Sequence, residues 1–269
     1  MQSDIQPWQL KMFRRSIKKQ LKLKALLKLL GDTHGKKCLL VTNGDNNGAL
    51  NWYFREHGGE WTWADVSGEN NDQIAGLLGE PVHAYKEADF GIPDAQFNCV
   101  VSIDVLEHLQ EDQPFLKEVK RVLKPNGTAM VTVPNGDPKL TANRIKWKLG
   151  MTPEVYGHTR AGYTIAELSG SIRMAGLAPQ KTGGYSRFVT EMIELVINFG
   201  YVRVLAKKRG AQPGHIAPVS SGELKTHGMA YKIYSLLFPI LWVASFLDNL
   251  FPTKSNNAVI VTALKQGDV

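Results

Sequence analysis

Cysteine is scarce in this sequence, and the signals of export are missing. The 269-residue chain contains two cysteines, Cys38 and Cys99, and each lies inside an apolar segment. We therefore expect buried reduced thiols rather than a disulfide or a cysteine metal site, which favours a cytoplasmic setting. The N-terminus lacks the apolar stretch and the cleavage site of a signal peptide, so no export is expected.

Metal-ligand spacing is also missing. The seven histidines stand far apart in the sequence, and isolated histidines are most often surface or core residues. We therefore expect no metal site. The histidines are His34, His57, His83, His108, His158, His215 and His227.

Acidic residues are rare in the N-terminal segment, where the positive charge is concentrated. The net charge is +7, and residues 1–37 hold ten Lys or Arg against two Asp, so the remainder is close to neutral. Apolar residues recur at helical spacing over residues 10–21, but the leucines of residues 23–30 lie on the opposite face. This pattern predicts a helix that breaks or changes partner near Lys22. Such a basic helix suits an anionic membrane surface, a nucleic acid, or docking onto the core with a solvated charged face.

From residue 36 onward, strand and helix patterns alternate. With 43% hydrophobic residues, the chain can bury one large α/β core or two small ones. We predict strands at 38–42, 60–66, 97–103 and 128–133, and helices at 49–57, 71–78, 106–123 and 163–175. Pro125 ends the third helix, and Asn126 with Gly127 supplies a left-handed turn. The alternation predicts a doubly wound, mostly parallel sheet, in which ligands bind beyond the carboxyl ends of the strands.

Three segments of the sequence resemble a known protein family. The sequences IPDAQFNCVVSIDVLEHL at 92–109, FLKEVKRVLKPNG at 115–127 and VTVPN at 131–135 resemble class I S-adenosylmethionine-dependent methyltransferases. The likeness is greatest to the group that includes quinone and other small-molecule or lipid methyltransferases, and it covers about residues 36–180. It implies a Rossmann-like, seven-stranded sheet with a final reversed strand, for which residues 257–264 are the candidate.

By its sequence alone, the loop after the first strand is either a cofactor-binding loop or a polar turn. The resemblance favours the cofactor-binding loop. Gly44, Asn46 and Gly48 stand at the family's glycine positions, and Asp45 lies between them. Because asparagine is the least costly substitute for glycine at positive φ, we expect Asn46 to keep the turn. Thr42 and Asn98 stand where the family often has Asp. These departures keep open a second interpretation, a catalytically degenerate binding or scaffold protein.

The resemblance also assigns acidic residues to the cofactor. Asp65, followed by Val66, ends the second strand, where the family has a carboxylate that accepts hydrogen bonds from both ribose hydroxyls. The alternative for Asp65 is a helix cap near Asn71. Asp89 stands where an acidic residue contacts the adenine amino group, with Glu87 as its rival.

The end of the third predicted strand corresponds to the methionine end of the cofactor. Ser102 and Ile103 would line it through their backbone, and Asp104 follows them. Asp104 has a structural alternative, because an Asp followed three residues later by Glu107 is the pattern of a helix N-cap with a reciprocal hydrogen bond.

Two histidines are the candidates for chemistry. His158 would lie at the mouth of the site with a pKa suited to removing a proton from a hydroxyl, although alignment of the nucleophile alone can supply most of the rate. His108 would pack under the cofactor, polarise a substrate, or fill a helix face. Shortly after His158, Thr164 and Glu167 match a capping box.

The C-terminal third departs from a minimal methyltransferase. We divide the chain into a basic helical extension (1–35), a core (36–186 and 255–269), and a helical or loop insertion or lid (187–254), with a helix at 191–205 and a loop at 207–222. Residues 233–247 carry no charge but are too few, and interrupted by Pro239, to span a membrane. They form a buried helix, a lid over an apolar substrate, or an in-plane membrane anchor.

The sequence thus predicts an enzyme that uses S-adenosylmethionine to methylate a small or lipid-linked apolar acceptor by in-line displacement. The basic and apolar segments together suggest peripheral association with the cytoplasmic membrane face. An RNA-modifying methyltransferase is the other alternative, but few aromatics interleave the basic residues and no RNA-binding module is present. The acceptor, its reacting atom and the oligomeric state stay open.

Overall fold

A seven-stranded sheet with helices on both faces forms the body of the protein. The computed structural model describes residues 7–44, 46–66, 68, 70–86, 89–200 and 228–267. The strands are β1 (Lys37–Thr42), β2 (Glu60–Asp65), β3 (Val82–Ala84), β4 (Phe97–Ile103), β5 (Leu123–Pro134), β6 (Ala178–Tyr185) and β7 (Ala258–Leu264). Their order is β3-β2-β1-β4-β5-β7-β6, with β7 antiparallel to both of its neighbours. The predicted doubly wound sheet with a reversed last strand is confirmed.

Nine α-helices are described. They are α1 (Trp8–Phe13), α2 (Ile17–Leu30), α3 (Ala49–Glu56), α4 (Asn71–Leu78), α5 (Gln113–Val122), α6 (Thr141–Lys148), α7 (Ile165–Met174), α8 (Phe188–Gly200) and α9 (Gly228–Ser245). Short 3-10 helices cover Pro153–Tyr156, Phe246–Leu250 and Thr253–Ser255. The predicted helix 191–205 falls partly, and the predicted loop 207–222 wholly, outside the described residues.

The central strands are buried on both faces because successive side chains point to opposite sides of the sheet. Leu39 packs with α5 and α7, whereas Leu40 packs on the other face with side chains of α2, α3 and α4. Cys38 and Cys99 lie side by side in β1 and β4 as buried free thiols. This two-layer covering leaves the carboxyl ends of the strands as the place where loops from several elements meet.

The segment after β4 differs from the prediction. The expected helix 106–123 begins only at Gln113, and its second residue is Pro114, which suits the first turn of a helix. Asp104 adopts a left-handed backbone with φ of 52°, so it ends the strand in a turn and does not cap a helix. The left-handed turn at Asn126 is confirmed, with φ of 61°. Residues 105–112 are thereby kept at the edge of the sheet as turns.

The N-terminal helix breaks earlier than predicted. α1 ends at Phe13, and the side chain of Ser16 caps α2 by accepting a hydrogen bond from the Lys19 amide at 3.3 Å. α2 then continues through Lys22 without interruption. The apolar pattern changes face at Lys22 without ending the helix, because the inner face of α2 is not purely apolar. Lys18 and Lys22 share that face with the buried Leu26.

A buried cluster of charges fixes α2 to the rest of the fold. The carboxylate of Glu191 in α8 is fully buried and pairs with Lys18 of α2 at 2.8 Å and with Lys146 of α6. Ser186 also donates a hydrogen bond to it. Burial alone would raise the pKa of Glu191, but the positive charges of Lys146 and Lys18 outweigh burial and lower it strongly. Three helices are therefore held together by one carboxylate.

α9 presents an apolar surface. Leu236, Ile240 and Val243 of this helix are exposed, and Phe246 and Leu250 of the following 3-10 helix continue the surface. Within the described residues, no helix combines the length and the apolar character needed to cross a bilayer.

The charge cluster generates a stability prediction. Replacing Glu191 with Gln removes the carboxylate that pairs directly with the part-buried Lys18 and with Lys146, so we expect a loss of up to about 3–5 kcal/mol in the free energy of unfolding. Urea denaturation at neutral pH measures it. The control is Asp94→Asn, which breaks the exposed pair with Arg121 and should change stability by less than about 1 kcal/mol.

The same cluster predicts that the free energy of unfolding depends on pH in the acid range. Because folding lowers the pKa of Glu191, its stabilisation is present above the ordinary value of 4.5 and is lost as the pH falls below it. The difference in unfolding free energy between the wild type and Glu191→Gln should therefore shrink in acid. A constant difference from pH 7 to pH 3 would contradict the ion-pair explanation.

Candidate functional site

The loop between β1 and α3 lies at the carboxyl edge of the sheet. Gly44 and Gly48 have left-handed backbones, with φ of 63° and 88°. A Cβ on Gly48 would come within 3.1 Å of Leu77 and 3.2 Å of the Ile74 backbone, so this position requires glycine. Asp45 lies outside the described residues.

Asn46 occupies the central position of this loop but not in the expected conformation. The described non-glycine residues with positive φ are Ala95, Asp104, Asn126 and Ser186, so the left-handed backbone expected for Asn46 is wrong. Its buried side chain instead accepts a hydrogen bond from the Gly48 amide at 3.0 Å and donates one to Asn51 at 2.5 Å. The amide side chain thus stabilises the loop from within.

Asp65 ends β2 beside this loop, as predicted, and is completely buried. Its carboxylate accepts hydrogen bonds from the Gly44 amide at 3.0 and 3.1 Å, from the Gly68 amide at 3.0 Å and from the Thr42 hydroxyl at 2.8 Å. The backbone of Val66 continues the contact through a 2.9 Å hydrogen bond to the Thr42 carbonyl. Asp65 therefore fixes the two loops that border the predicted cofactor site.

The predicted adenine side is formed by aromatic rings and an exposed carboxylate. The Tyr85 ring stacks on the buried Phe90 at a centroid distance of 5.3 Å. Asp89 is exposed, and its carboxylate accepts a 2.8 Å hydrogen bond from the Gly91 amide. The rival residue Glu87 lies outside the described residues.

The end of β4 brings the predicted methionine-end residues together with the N-terminal helix. Ser102 and Ile103 are buried, and the Ser102 hydroxyl has no hydrogen-bond partner in the described part of the chain. Asp104 forms an ion pair with Lys22 of α2. Burial opposes the charge of Lys22, but the adjacent Asp104 outweighs burial and raises the pKa of the ammonium. The sequence pattern did not indicate Lys22 as a site residue.

His108 and His158 meet at the same edge although 50 positions separate them. Their rings lie 4.8 Å apart at an angle of 85°, and Glu107 is buried beside them. The segment carrying His158 is fixed because the Thr159 amide donates a 2.8 Å hydrogen bond to the Glu107 carbonyl. Burial, then the neighbouring His108, lower the pKa of His158 to about 4, so its imidazole is neutral at physiological pH.

A polar cavity of about 120 Å³ adjoins His158. Its lining includes Lys18, Lys146 and Glu191 of the buried charge cluster, together with Asn143 and Tyr156. The capping box of Thr164 and Glu167, which starts the next helix, is present as predicted. The cavity can accept a small polar group close to the imidazole.

This edge fits S-adenosylmethionine. The glycine loop, the carboxylate at the end of β2 and the unpartnered Ser102 hydroxyl lie at the ends of β1, β2 and β4, where doubly wound sheets bind nucleotides. Because Asp65 already accepts hydrogen bonds from loop amides, ribose hydroxyls must replace some of these bonds. The roles assigned to single residues stay predictions.

Sequence comparisons match the same region. The family model described as a methyltransferase domain matches residues 44–131. A probable S-adenosylmethionine-dependent methyltransferase from Mycolicibacterium smegmatis is 36% identical over 98 residues, which is 36% of this chain and 35% of the relative. A relative of the same description from Mycobacterium tuberculosis is 42% identical over 48 residues, 18% of each chain. The match thus spans about a third or less of these relatives' length.

Solved structures share the fold over nearly the whole chain. The [4+2]-cyclase SpnF has a TM-score of 0.59 at 16% identity, covering 94% of this chain and 81% of its own. A phosphoethanolamine N-methyltransferase from Haemonchus contortus, in complex with S-adenosylmethionine, has a TM-score of 0.55 at 12% identity, covering 92% of this chain and 53% of its own. The comparisons thus identify a methyltransferase domain over residues 44–131, on a fold that these solved structures share over most of the chain.

Proposed function

We propose that this chain transfers a methyl group from S-adenosylmethionine to a polar atom of a small or lipid-linked apolar acceptor. The observation that carries the proposal is the meeting of three features at one edge of the sheet: the Gly44 loop, the Asp65 carboxylate, and the histidine pair beside a polar cavity. A cofactor held by the first two would place its reactive group near the third.

Each part of the cofactor has a candidate partner in this chain. Asp65 would accept the ribose hydroxyls, and Asp89 would contact the adenine beside the Tyr85 ring. Gly44 lets the backbone approach closely because it lacks a Cβ. Ser102 has a buried hydroxyl ready for a hydrogen bond at the methionine end. When bound, S-adenosylmethionine supplies a methyl group on a positively charged sulfur.

The chain contributes alignment and a proton acceptor to the transfer. Holding the acceptor atom in line behind the methyl group supplies most of the rate in such a displacement. His158, neutral and half-buried, can take the proton that the acceptor loses. His108 holds the other side of this imidazole in edge-to-face contact.

The acceptor proposal combines the polar cavity with an apolar groove. The groove has a volume of about 730 Å³ and is lined by Phe13, Leu21, Leu27, Trp242 and Phe246. It runs along α2, whose Lys18 lines the polar cavity beside His158. This arrangement suits an acceptor with a small reacting head and an extended apolar part.

A lipid surface is a compatible setting for such an acceptor. Arg15 donates a 3.3 Å hydrogen bond to the Ser235 carbonyl of α9 and lies 5.3 Å from the Phe238 ring centroid. The basic N-terminal helices therefore adjoin the apolar surface of α9, where Leu236 and Ile240 are exposed. Apolar side chains flanked by basic residues bind in the plane of anionic membranes.

The cofactor proposal predicts binding that depends on Asp65. Titration calorimetry with S-adenosylmethionine should show one site in the wild type. Asp65→Ala should weaken it about 10–100-fold, because a charge-assisted hydrogen bond contributes about 1.5–3 kcal/mol. Thr42→Val is the matched control, because it removes one hydrogen bond to the same carboxylate but keeps the charge.

Asp65→Ala also loosens the loop, so urea denaturation of each variant must accompany the titration. An Asp65→Ala protein that is folded and binds as tightly as the wild type would remove Asp65 from the cofactor site. Absence of binding by the wild type at millimolar cofactor would favour the degenerate binding or scaffold protein. SpnF, a cyclase, shows that this fold also serves other activities.

The membrane proposal predicts vesicle binding that requires both surfaces. Co-sedimentation with vesicles containing anionic phospholipid at physiological salt should fall about tenfold or more in Lys24→Glu/Lys28→Glu, at about 1 kcal/mol per basic residue. Ile240→Ser should also reduce it, because the helix loses buried apolar area. The exposed Lys139, on another element, gives the control Lys139→Glu.

The membrane proposal is wrong if all variants sediment equally with the vesicles, or if the wild type does not sediment with them. A gel shift with RNA under the same salt conditions tests the remaining alternative. Binding of RNA with loss in Lys24→Glu/Lys28→Glu would favour an RNA-modifying enzyme instead.

A further inference from the structure

The cluster of Glu107, His108 and His158 has the composition of a metal site. One carboxylate oxygen and one nitrogen from each imidazole lie within 4.8 Å of one another. Tetrahedral bonds of about 2.0–2.2 Å to a common ion place ligand atoms about 3.3–3.6 Å apart, so side chains separated by the full 4.8 Å would close by about 1 Å on binding. Among the described residues, this is the group of His, Cys, Asp and Glu side chains that meets this distance condition.

His108 is oriented in the way that metal-binding histidines are. Its Nδ1 lies 3.1 Å from the Gly157 carbonyl oxygen, which can only accept, so Nδ1 carries the proton. The lone pair is then on Nε2, which is buried and has no hydrogen-bond partner in the described part of the chain. A ligating imidazole usually donates its other N–H to a carbonyl or carboxylate in this manner. A buried polar atom without a partner is costly unless something binds it.

The cluster is held in place without an ion. The Thr159 hydroxyl lies 3.0 Å from the Glu107 carbonyl oxygen and 2.9 Å from that of Leu109, and its single proton is donated between these two acceptors. Arg160 donates to the Gln110 carbonyl at 2.8 Å. These bonds tie the segment that carries His158 to the turns that carry the other two side chains.

The surrounding charges do not oppose a cation. Lys22 is paired with Asp104, and Lys18 and Lys146 share the carboxylate of Glu191, so each nearby ammonium lies against a carboxylate. The cluster adds one further carboxylate, that of Glu107. Two imidazoles with one carboxylate are a ligand set that zinc and the other first-row divalent metals accept.

We propose that Glu107, His108 and His158 bind a divalent transition-metal ion. The proposal reverses the expectation of no metal site, which rested on sequence spacing and could not anticipate that His158 lies against Glu107. Three protein ligands leave coordination positions open for other oxygen atoms.

The open positions suggest the acceptor class, and this step rests on the proposed function. His158 lines the polar cavity, so the ion would lie at the wall where the reacting head enters. A bound ion lowers the pKa of a coordinated hydroxyl and orients it. With His158 bound to the ion, this imidazole would no longer serve as the proton acceptor, so the hydroxyl proton would pass to solvent. The oxygen would form the new bond to the methyl carbon, and the bond from carbon to sulfur would break. The acceptor would therefore be a hydroxyl compound.

The test is titration of Zn²⁺ into the untagged full chain after treatment with a chelator, without S-adenosylmethionine. We expect one equivalent to bind, with affinity reduced at least tenfold in His108→Ala and in His158→Ala. His83→Ala, at an exposed histidine elsewhere, should bind as the wild type does. The Co²⁺ absorption spectrum gives a second readout, and Glu107→Gln should alter it.

Circular dichroism shows whether each variant is folded, and His158→Asn replaces His158→Ala if that protein unfolds. Absence of stoichiometric binding, or binding unchanged in both histidine variants, overturns the proposal. Because the metal titration contains no cofactor, its failure alongside normal S-adenosylmethionine binding removes only the metal site. Metal binding alongside failed cofactor binding removes only the proposed function.

Discussion

The carboxylate of Asp65 is the interaction on which the cofactor edge depends. Fully buried, it accepts hydrogen bonds from the loop after β1 and from the segment after β2, so both loops take their positions from one side chain. The same oxygens are the predicted ribose acceptors. If that prediction holds, binding a nucleoside and holding the loops would be competing uses of one group, and the affinity for cofactor would include the free energy of exchanging these bonds.

Much of the fold could be predicted because its central strands are uniformly apolar. The bounds of β4 and α4 agree with the prediction residue for residue, since each segment has one dominant pattern and clear flanking turns. The helix after β4 was predicted seven residues too early. There, Asp104 and Glu107 match a cap locally, but Lys22 pairs with Asp104 and Glu107 turns inward, so tertiary contacts override the local signal.

The site shows the same division between local and distant information. Asp65 and the Gly44 loop could be placed from sequence because each follows directly from the end of a strand. The conformation of Asn46 could not be predicted, because it depends on a hydrogen bond to the side chain of Asn51 in the following helix, α3. The contact of His158 with His108 joins residues 50 positions apart, and no spacing rule anticipates it.

Two lysines of the basic N-terminal segment face the interior of the protein and have a structural role. Lys18 and Lys22 are the counter-ions of Glu191 and Asp104, and both acidic partners belong to later parts of the chain. A fragment that begins at β1 would leave a fully buried acid with one lysine instead of two, and the turn after β4 with none. Helix α2 thus completes the electrostatics of the domain through its two inward-facing lysines.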